Sequence, residues 1–127
     1  MVLGINQDMA TKKTNPDFLN GVPELLILQL LIRQPMHGYD LVQTIRQASG
    51  LRLDFGEGCV YPILHRLEEQ GLLSSERKVV GGRSRIVYRA TKKGVKRFEQ
   101  SLHDWKDVIT AINAVLQGGA DVAAGLA

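Results

Sequence analysis

The side chains best equipped for chemistry in this sequence are cationic, and they are clustered. Between Arg77 and Arg97 stand nine basic residues (Arg77, Lys78, Arg83, Arg85, Arg89, Lys92, Lys93, Lys96 and Arg97) and no acid, whereas Met1–Ile63 carries five basic and six acidic residues. The net charge of the whole chain is only +3, so the asymmetry is local. Such a stretch suits a polyanion: a nucleic acid, an anionic membrane surface or an acidic protein. A solvated face whose acidic partners lie elsewhere in the fold would give the same pattern.

Reaction chemistry is much harder to find. Ser84 and Ser101 lack a base partner in any recognisable arrangement, and His37 has no companions at metal-ligand spacing. Gly81-Gly82 and the Gly56–Gly58 stretch lack the lysine and the spacing of a phosphate loop. With no acid and base pair, nucleophile triad or metal cluster, the expectation is a protein without catalytic residues, metal or cofactor. Cys59 at the head of a helix has a redox reading, since helix N-termini lower thiol pKa values, but a small packing residue is the favoured one.

The elements that must position these cations follow from periodicity. Pro23 opens a first helix whose Glu24–Arg33 stretch is apolar on nearly every side, so it belongs at the centre. A second helix over about Gly38–Ala48 turns Leu41, Val42, Ile45 and Ala48 inward and stops at Ser49-Gly50. A third covers about Gly58–Gln70 and ends at Gly71; Pro62 fits only its first turn, which places the start near Gly58. At about 100° per residue, Val60, Ile63, Leu64 and Leu67 share one face of this helix. Tyr61, Pro62, His65, Arg66 and Glu69 occupy the other. An aromatic hydroxyl, an imidazole and a guanidinium within two turns suit a DNA major groove, where donors and flat rings meet base edges and phosphates.

Ser74–Val80 and Arg83–Ala90 then form a hairpin about Gly81-Gly82, a dipeptide that accepts the positive φ angles of a tight turn. The returning strand puts Ser84, Ile86, Tyr88 and Ala90 on one face and Arg83, Arg85, Val87 and Arg89 on the other. Arg83 and Arg85 thus flank the tip, where they can reach a minor groove or the phosphates beside it. Thr91 is a candidate N-cap for a last helix, in which Lys92 and Lys93 extend the basic surface. Gly94 stands where a capping box would have Glu or Gln. Val95, Phe98, Leu102, Trp105, Ile109, Ile112 and Leu116 then recur at alternating steps of three and four, the seam of a helix that packs along another helix.

Three helices, a hairpin and a further helix, in that order, make a mainly α fold with a small β-hairpin. This is a winged helix-turn-helix with a long C-terminal helix. Residues 1–20 read as a flexible arm, 21–90 as the winged unit, 91–117 as the terminal helix and 118–127 as a flexible tail. One domain of 127 residues, 44% hydrophobic and 23% charged, has room for one core. A single cysteine and the lack of an apolar leader or spanning segment lead us to expect a cytoplasmic protein without a membrane partner.

Four stretches together resemble the PadR-like family of winged-helix transcription regulators: Glu24–Leu31, Pro35–Leu41 (PMHGYDL), Gly58–Leu73 (GCVYPILHRLEEQGLL) and Arg85–Gly94 (RIVYRATKKG). The HGYxL and YPxLxRLExxGLL strings are the specific part, and the likeness runs from about Gly21 to Ile112. The resemblance implies a homodimeric DNA-binding regulator of transcription, most often a repressor that small molecules release. A two-fold assembly of this kind is expected to read a pseudo-palindromic double-stranded operator; a small aromatic effector is one expectation and a version that needs no small molecule is the other. It places Tyr61, Pro62, His65 and Arg66 in the recognition helix, Gly82, Arg83 and Arg85 in the wing, and Tyr39 near the DNA backbone. The last helix becomes the dimerisation helix, with Phe98, Leu102, Trp105, Ile109, Ile112 and Leu116 at the interface. A single such helix matches the short branch of the family. Trp105 has a ligand-stacking reading in that context, although its seam position favours burial between protomers. The rival readings are a protein-interaction module that recruits a partner through the last helix and, with little support, an enzyme.

Overall fold

The apolar stretch Glu24–Leu31 is buried much as its composition requires. In the computed structural model, which describes residues 21–118, it forms most of helix α1 (Val22–Arg33), with Pro23 in the first turn. Ile27, Leu28 and Leu31 are shut away from solvent. A two-residue strand, β1 (Met36–His37), leads into helix α2 (Gly38–Ala48), which supplies Leu41, Val42 and Ile45 to the core. Helix α3 (Glu57–Glu69) supplies Val60, Leu64 and Leu67. Phe55, Leu72, Leu73 and Tyr88 complete the cluster. Side chains of this size each contribute roughly 1.5–3 kcal/mol when fully buried. Ala48, expected inside, is exposed at the rim of a shallow groove beside Leu30, Ile45 and Leu53, because α2 runs past the core before it stops.

Helix α3 stops where a glycine permits it. Gly71 adopts φ 77°; its N–H donates to the Glu68 carbonyl at 2.9 Å, and the Leu72 N–H donates to the Leu67 carbonyl at 2.9 Å. That paired closure turns the chain into strand β2 (Leu73–Val80), with Leu67 and Leu72 both in the core. Strand β3 (Arg83–Ala90) returns antiparallel, with Val80 opposite Arg83. Both turn glycines have positive φ, 59° and 80°, as a two-residue hairpin turn of this hand demands.

The expected two-stranded hairpin is in fact part of a three-stranded sheet. Met36 and His37 of β1 pair with Tyr88 and Val87, so the order is β1-β3-β2. Two residues are too few to show a period of two, which is why the sequence pattern hid this strand. The strict alternation expected for β3 also fails at one point. Val87, placed with the arginines on the outer face, is buried because Met36, His37 and Val80 close around it.

Helix α4 (Lys92–Asn113) runs on into a π-helical turn, Ala114–Gly118. Thr91 caps it: its hydroxyl accepts from the Gly94 N–H at 3.0 Å and donates to the Gly71 carbonyl at 2.7 Å. Gly94 is glycine for want of space, since a Cβ there would run into the Leu72 carbonyl oxygen. Gly94→Ala is therefore expected to cost about 1–3 kcal/mol of unfolding free energy. Gly58→Ala, whose Cβ would meet nothing within 4 Å, should cost nothing; paired denaturant titrations make the comparison. The arm 1–20 and tail residues 119–127 lie outside the described residues.

Candidate nucleic-acid interface

Helix α3 presents the outer face that its periodicity predicts, with two changes of detail. It begins at Glu57, so Pro62 stands in the second turn rather than the first. Proline there has no N–H for the Gly58 carbonyl, a loss that solvent can make good because both residues are exposed. Tyr61 is half-buried and His65 exposed, their ring centroids 6.4 Å apart with the planes tilted by 46°. Together with His37, Ser84, Arg85 and Tyr88 they line a cleft of about 300 Å³ between α3 and the wing. Burial, then the Glu68 carboxylate and Tyr61, push the Tyr88 phenol above its ordinary pKa, so it stays a neutral floor to this cleft at physiological pH.

The second change concerns Arg66. Its Nη2 donates to Glu24 Oε1 at 2.8 Å, while Arg97 Nη1 reaches Glu24 Oε2 at 3.4 Å. One carboxylate of α1, itself mostly buried, thus ties the recognition-helix candidate to α4, and Arg66 lies on the flank of α3. The arginine stays about half exposed, so it can still touch a phosphate. Lys93 is also engaged: its ammonium donates to the Gln70 carbonyl at 3.0 Å, at the C-terminal end of α3, away from Tyr61. A cation at that end complements the helix dipole. These engagements were illegible in sequence because the partners lie 42 and 23 residues away.

The wing keeps its cations. Arg83 is exposed beside Gly82, and Arg85 is half-buried at the cleft. The strand register adds Lys78 directly opposite Arg85, and Arg77 Nη1 donates to Ser84 Oγ at 3.3 Å. Sequence reasoning left Arg77 and Lys78 out of the candidate site, although the two-residue turn expected at Gly81-Gly82 already sets Lys78 opposite Arg85 and Arg77 opposite Ile86. Like charges opposed across a strand pair are destabilising unless an anion joins them. Glu76, nearer the hairpin's base, meets Arg89 at 3.3 Å and Lys78 at 4.0 Å. Among the described residues, Arg83 and Arg85 have no carboxylate within ion-pair distance. Tyr39, at the start of α2, is 48% exposed, and its ring stacks with that of His37 at 6.5 Å. Lys92 is exposed in the first turn of α4.

Beyond the winged unit, α4 carries an apolar strip. Phe98 packs on the chain's own core and Leu102 is half-buried, so the inner end of the expected seam is used within the protomer. Trp105, Ile109, Ile112 and Leu116 are 36%, 37%, 47% and 71% exposed. Val108 and Val115, which the three-and-four spacing passes over, widen the strip. Among the described residues, no helix is long and apolar enough to cross a membrane, and no three His, Cys, Asp or Glu residues gather as a metal site.

The chain is similar in sequence and in fold to known transcriptional regulators. A family model, the Transcriptional regulator PadR-like family, matches residues 27–100. A transcriptional regulator from Mycobacterium tuberculosis is 44% identical over 78 residues, which cover 61% of this chain and 70% of that one. A transcriptional regulator from Escherichia coli is 30% identical over 103 residues, 81% of this chain and 48% of the longer relative. Among solved structures, a transcriptional regulator from Clostridium thermocellum superimposes with a TM-score of 0.74 at 27% identity, covering 82% of this chain and 99% of that one. A PadR family regulator from Eggerthella lenta gives 0.71 at 27% identity, over 90% of this chain and 94% of that one.

Proposed function

This chain belongs to the PadR-like family of transcriptional regulators, which bind DNA and are not enzymes, and from that premise we propose that it is a homodimeric, sequence-specific repressor working in the cytoplasm. Residues 21–90 form the DNA-binding unit and 91–117 the dimerisation helix. The observation that carries this reading is the cleft that Arg85 of the wing shares with Tyr61 and His65 of α3, with Lys78 opposite Arg85 across the strand pair and Arg83 exposed beside Gly82. In each protomer α3 enters a major groove, with Tyr61, Pro62 and His65 toward base edges and Tyr39 and Arg66 on the flanking backbone. Gly82 lets the wing tip approach closely, and Arg83 and Arg85 take the adjacent phosphates or minor groove. Lys92 adds to the field there. Lys93, held at Gln70, acts through charge at longer range.

Two-fold symmetry makes the operator pseudo-palindromic. A small aromatic effector would find a cleft of about 250 Å³ beside Trp105, lined also by Glu24, Leu25 and Asp104. Selection from a randomised duplex pool, followed by gel shifts on selected and scrambled duplexes, tests the reading. The expected result is an enriched inverted repeat; recovery of no common sequence would refute it. Repression is tested by placing the selected duplex over a reporter promoter, where expression is expected to fall when the chain is produced.

Glu24 provides a further check, because it holds two arginines near the duplex. Glu24→Gln is expected to lower stability by about 1 kcal/mol or less, as befits half-exposed partners. By freeing Arg66 it should steepen the salt dependence of duplex binding by up to about one unit in log–log slope. Anisotropy titrations over a salt series measure it.

A further inference from the structure

Gly38 opens α2 with a backbone outside the left-handed region, so its conformation does not call for glycine. Glycine also forms helices less readily than alanine. The space a side chain would need is taken by the recognition helix: a Cβ on Gly38 would lie 2.5 Å from Tyr61 Cζ and 2.6 Å from both its Cε1 and its hydroxyl oxygen. All three are side-chain atoms at the end of a rotatable ring, unlike the backbone carbonyl that confronts Gly94. An alanine at position 38 therefore leaves the fold intact and moves the ring. Tyr61 is half-buried against this surface, with His65 tilted beside it and Ser84 and Arg85 across the cleft. A displaced ring moves into that cleft or out of it, and His65 loses the neighbour that limits its orientation.

We propose that Gly38 is a positioning residue for sequence recognition: its missing side chain seats the Tyr61 ring on the start of α2 and so fixes how the Tyr61–His65 pair meets the bases. This rests on the DNA-binding reading above. It makes a separate claim, that a buried glycine outside the contact surface sets sequence preference while general affinity, set by the wing, is unaffected.

The test uses the full chain as wild type, Gly38→Ala, Tyr61→Ala and the double variant. The probes are fluorescein-labelled copies of the duplex that wild type selects from a random pool and of a scrambled duplex of the same composition. Gly38→Ala is expected to reduce the preference for the selected duplex by about tenfold or more, the scale of a base-edge contact. Binding to the scrambled duplex should stay within about twofold, and the addition of Gly38→Ala to Tyr61→Ala should change nothing further. The His65 ring proton resonances should shift in Gly38→Ala. Should Gly38→Ala lower the melting temperature, the double variant must melt no lower than Tyr61→Ala alone; a further drop overturns the proposal. So does a Gly38→Ala chain with unaltered preference, or an equal loss in the Tyr61→Ala background. A wild-type chain that does not distinguish the two duplexes instead overturns the DNA reading, and this inference with it.

Discussion

Ile109→Asp combined with Ile112→Asp on α4 is expected to leave a folded protomer that no longer dimerises and that binds a two-half-site duplex about 10²–10⁴-fold more weakly. Both side chains are more than a third exposed within the protomer, so their replacement leaves its core untouched. The apolar strip Trp105, Val108, Ile109, Ile112, Val115 and Leu116 otherwise faces solvent, an arrangement that a second helix relieves. The size of the loss comes from effective concentration. Once one recognition helix is seated, a linked partner engages its half-site as an intramolecular event, an advantage of about 10²–10⁴ that vanishes with the linkage. Sedimentation velocity and fluorescence anisotropy on the same samples check both halves of the prediction. A variant that still sediments as a dimer would show that the strip is not the interface. A wild-type chain that stays monomeric at high concentration would favour the rival reading, in which α4 recruits a different protein.

The second large effect belongs to the wing. Arg83→Ala with Arg85→Ala is expected to weaken binding to every duplex alike, by about tenfold or more for each arginine, since a hydrogen bond to a charged group contributes roughly 1.5–3 kcal/mol. The log–log salt slope should become shallower by about 0.9 for each phosphate that is no longer neutralised. His65→Ala should behave differently, with a changed preference among sequences and a nearly unchanged slope. The contrast arises because the arginines sit on a hairpin whose tip is held by Gly81 and Gly82, whereas His65 stands on the outer face of α3. Binding isotherms over a series of salt concentrations separate the two. Equal slopes in wild type and the double arginine variant would remove the wing from the phosphate backbone.

What the sequence revealed was local. Helix α2 and strand β3 begin and end where their periodicity and punctuation place them, Gly38–Ala48 and Arg83–Ala90, because Ser49-Gly50 and Gly81-Gly82 fix the chain direction by backbone chemistry alone. The outer face of α3 was legible for the same reason: Val60, Leu64 and Leu67 are fully buried and His65 is exposed. Pairings between distant segments were hidden. Strand β1 is too short for a pattern and exists only because Val87 and Tyr88 offer it an edge. The Glu24 carboxylate that holds Arg66 and Arg97, and the Gln70 carbonyl that holds Lys93, are set by how helices cross. Phe98 fits the heptad as well as Ile109 does, yet the winged core reaches one and leaves the other to solvent. Periodicity identifies an apolar face; packing decides which stretch of it is left for a partner. Gly94 shows the same division, since its missing capping-box side chain is explained by the Leu72 carbonyl that lies in its place.

The proposed dimer requires two copies of α3 to read one duplex from one side, and hydroxyl-radical footprinting of the full chain on its selected duplex tests this most directly. The expected pattern is two equivalent protected windows related by a two-fold axis, with centres one helical turn, about 10–10.5 base pairs, or a small multiple of that apart. A single window that saturates at one chain per duplex, or two windows on opposite faces of the helix, would contradict it.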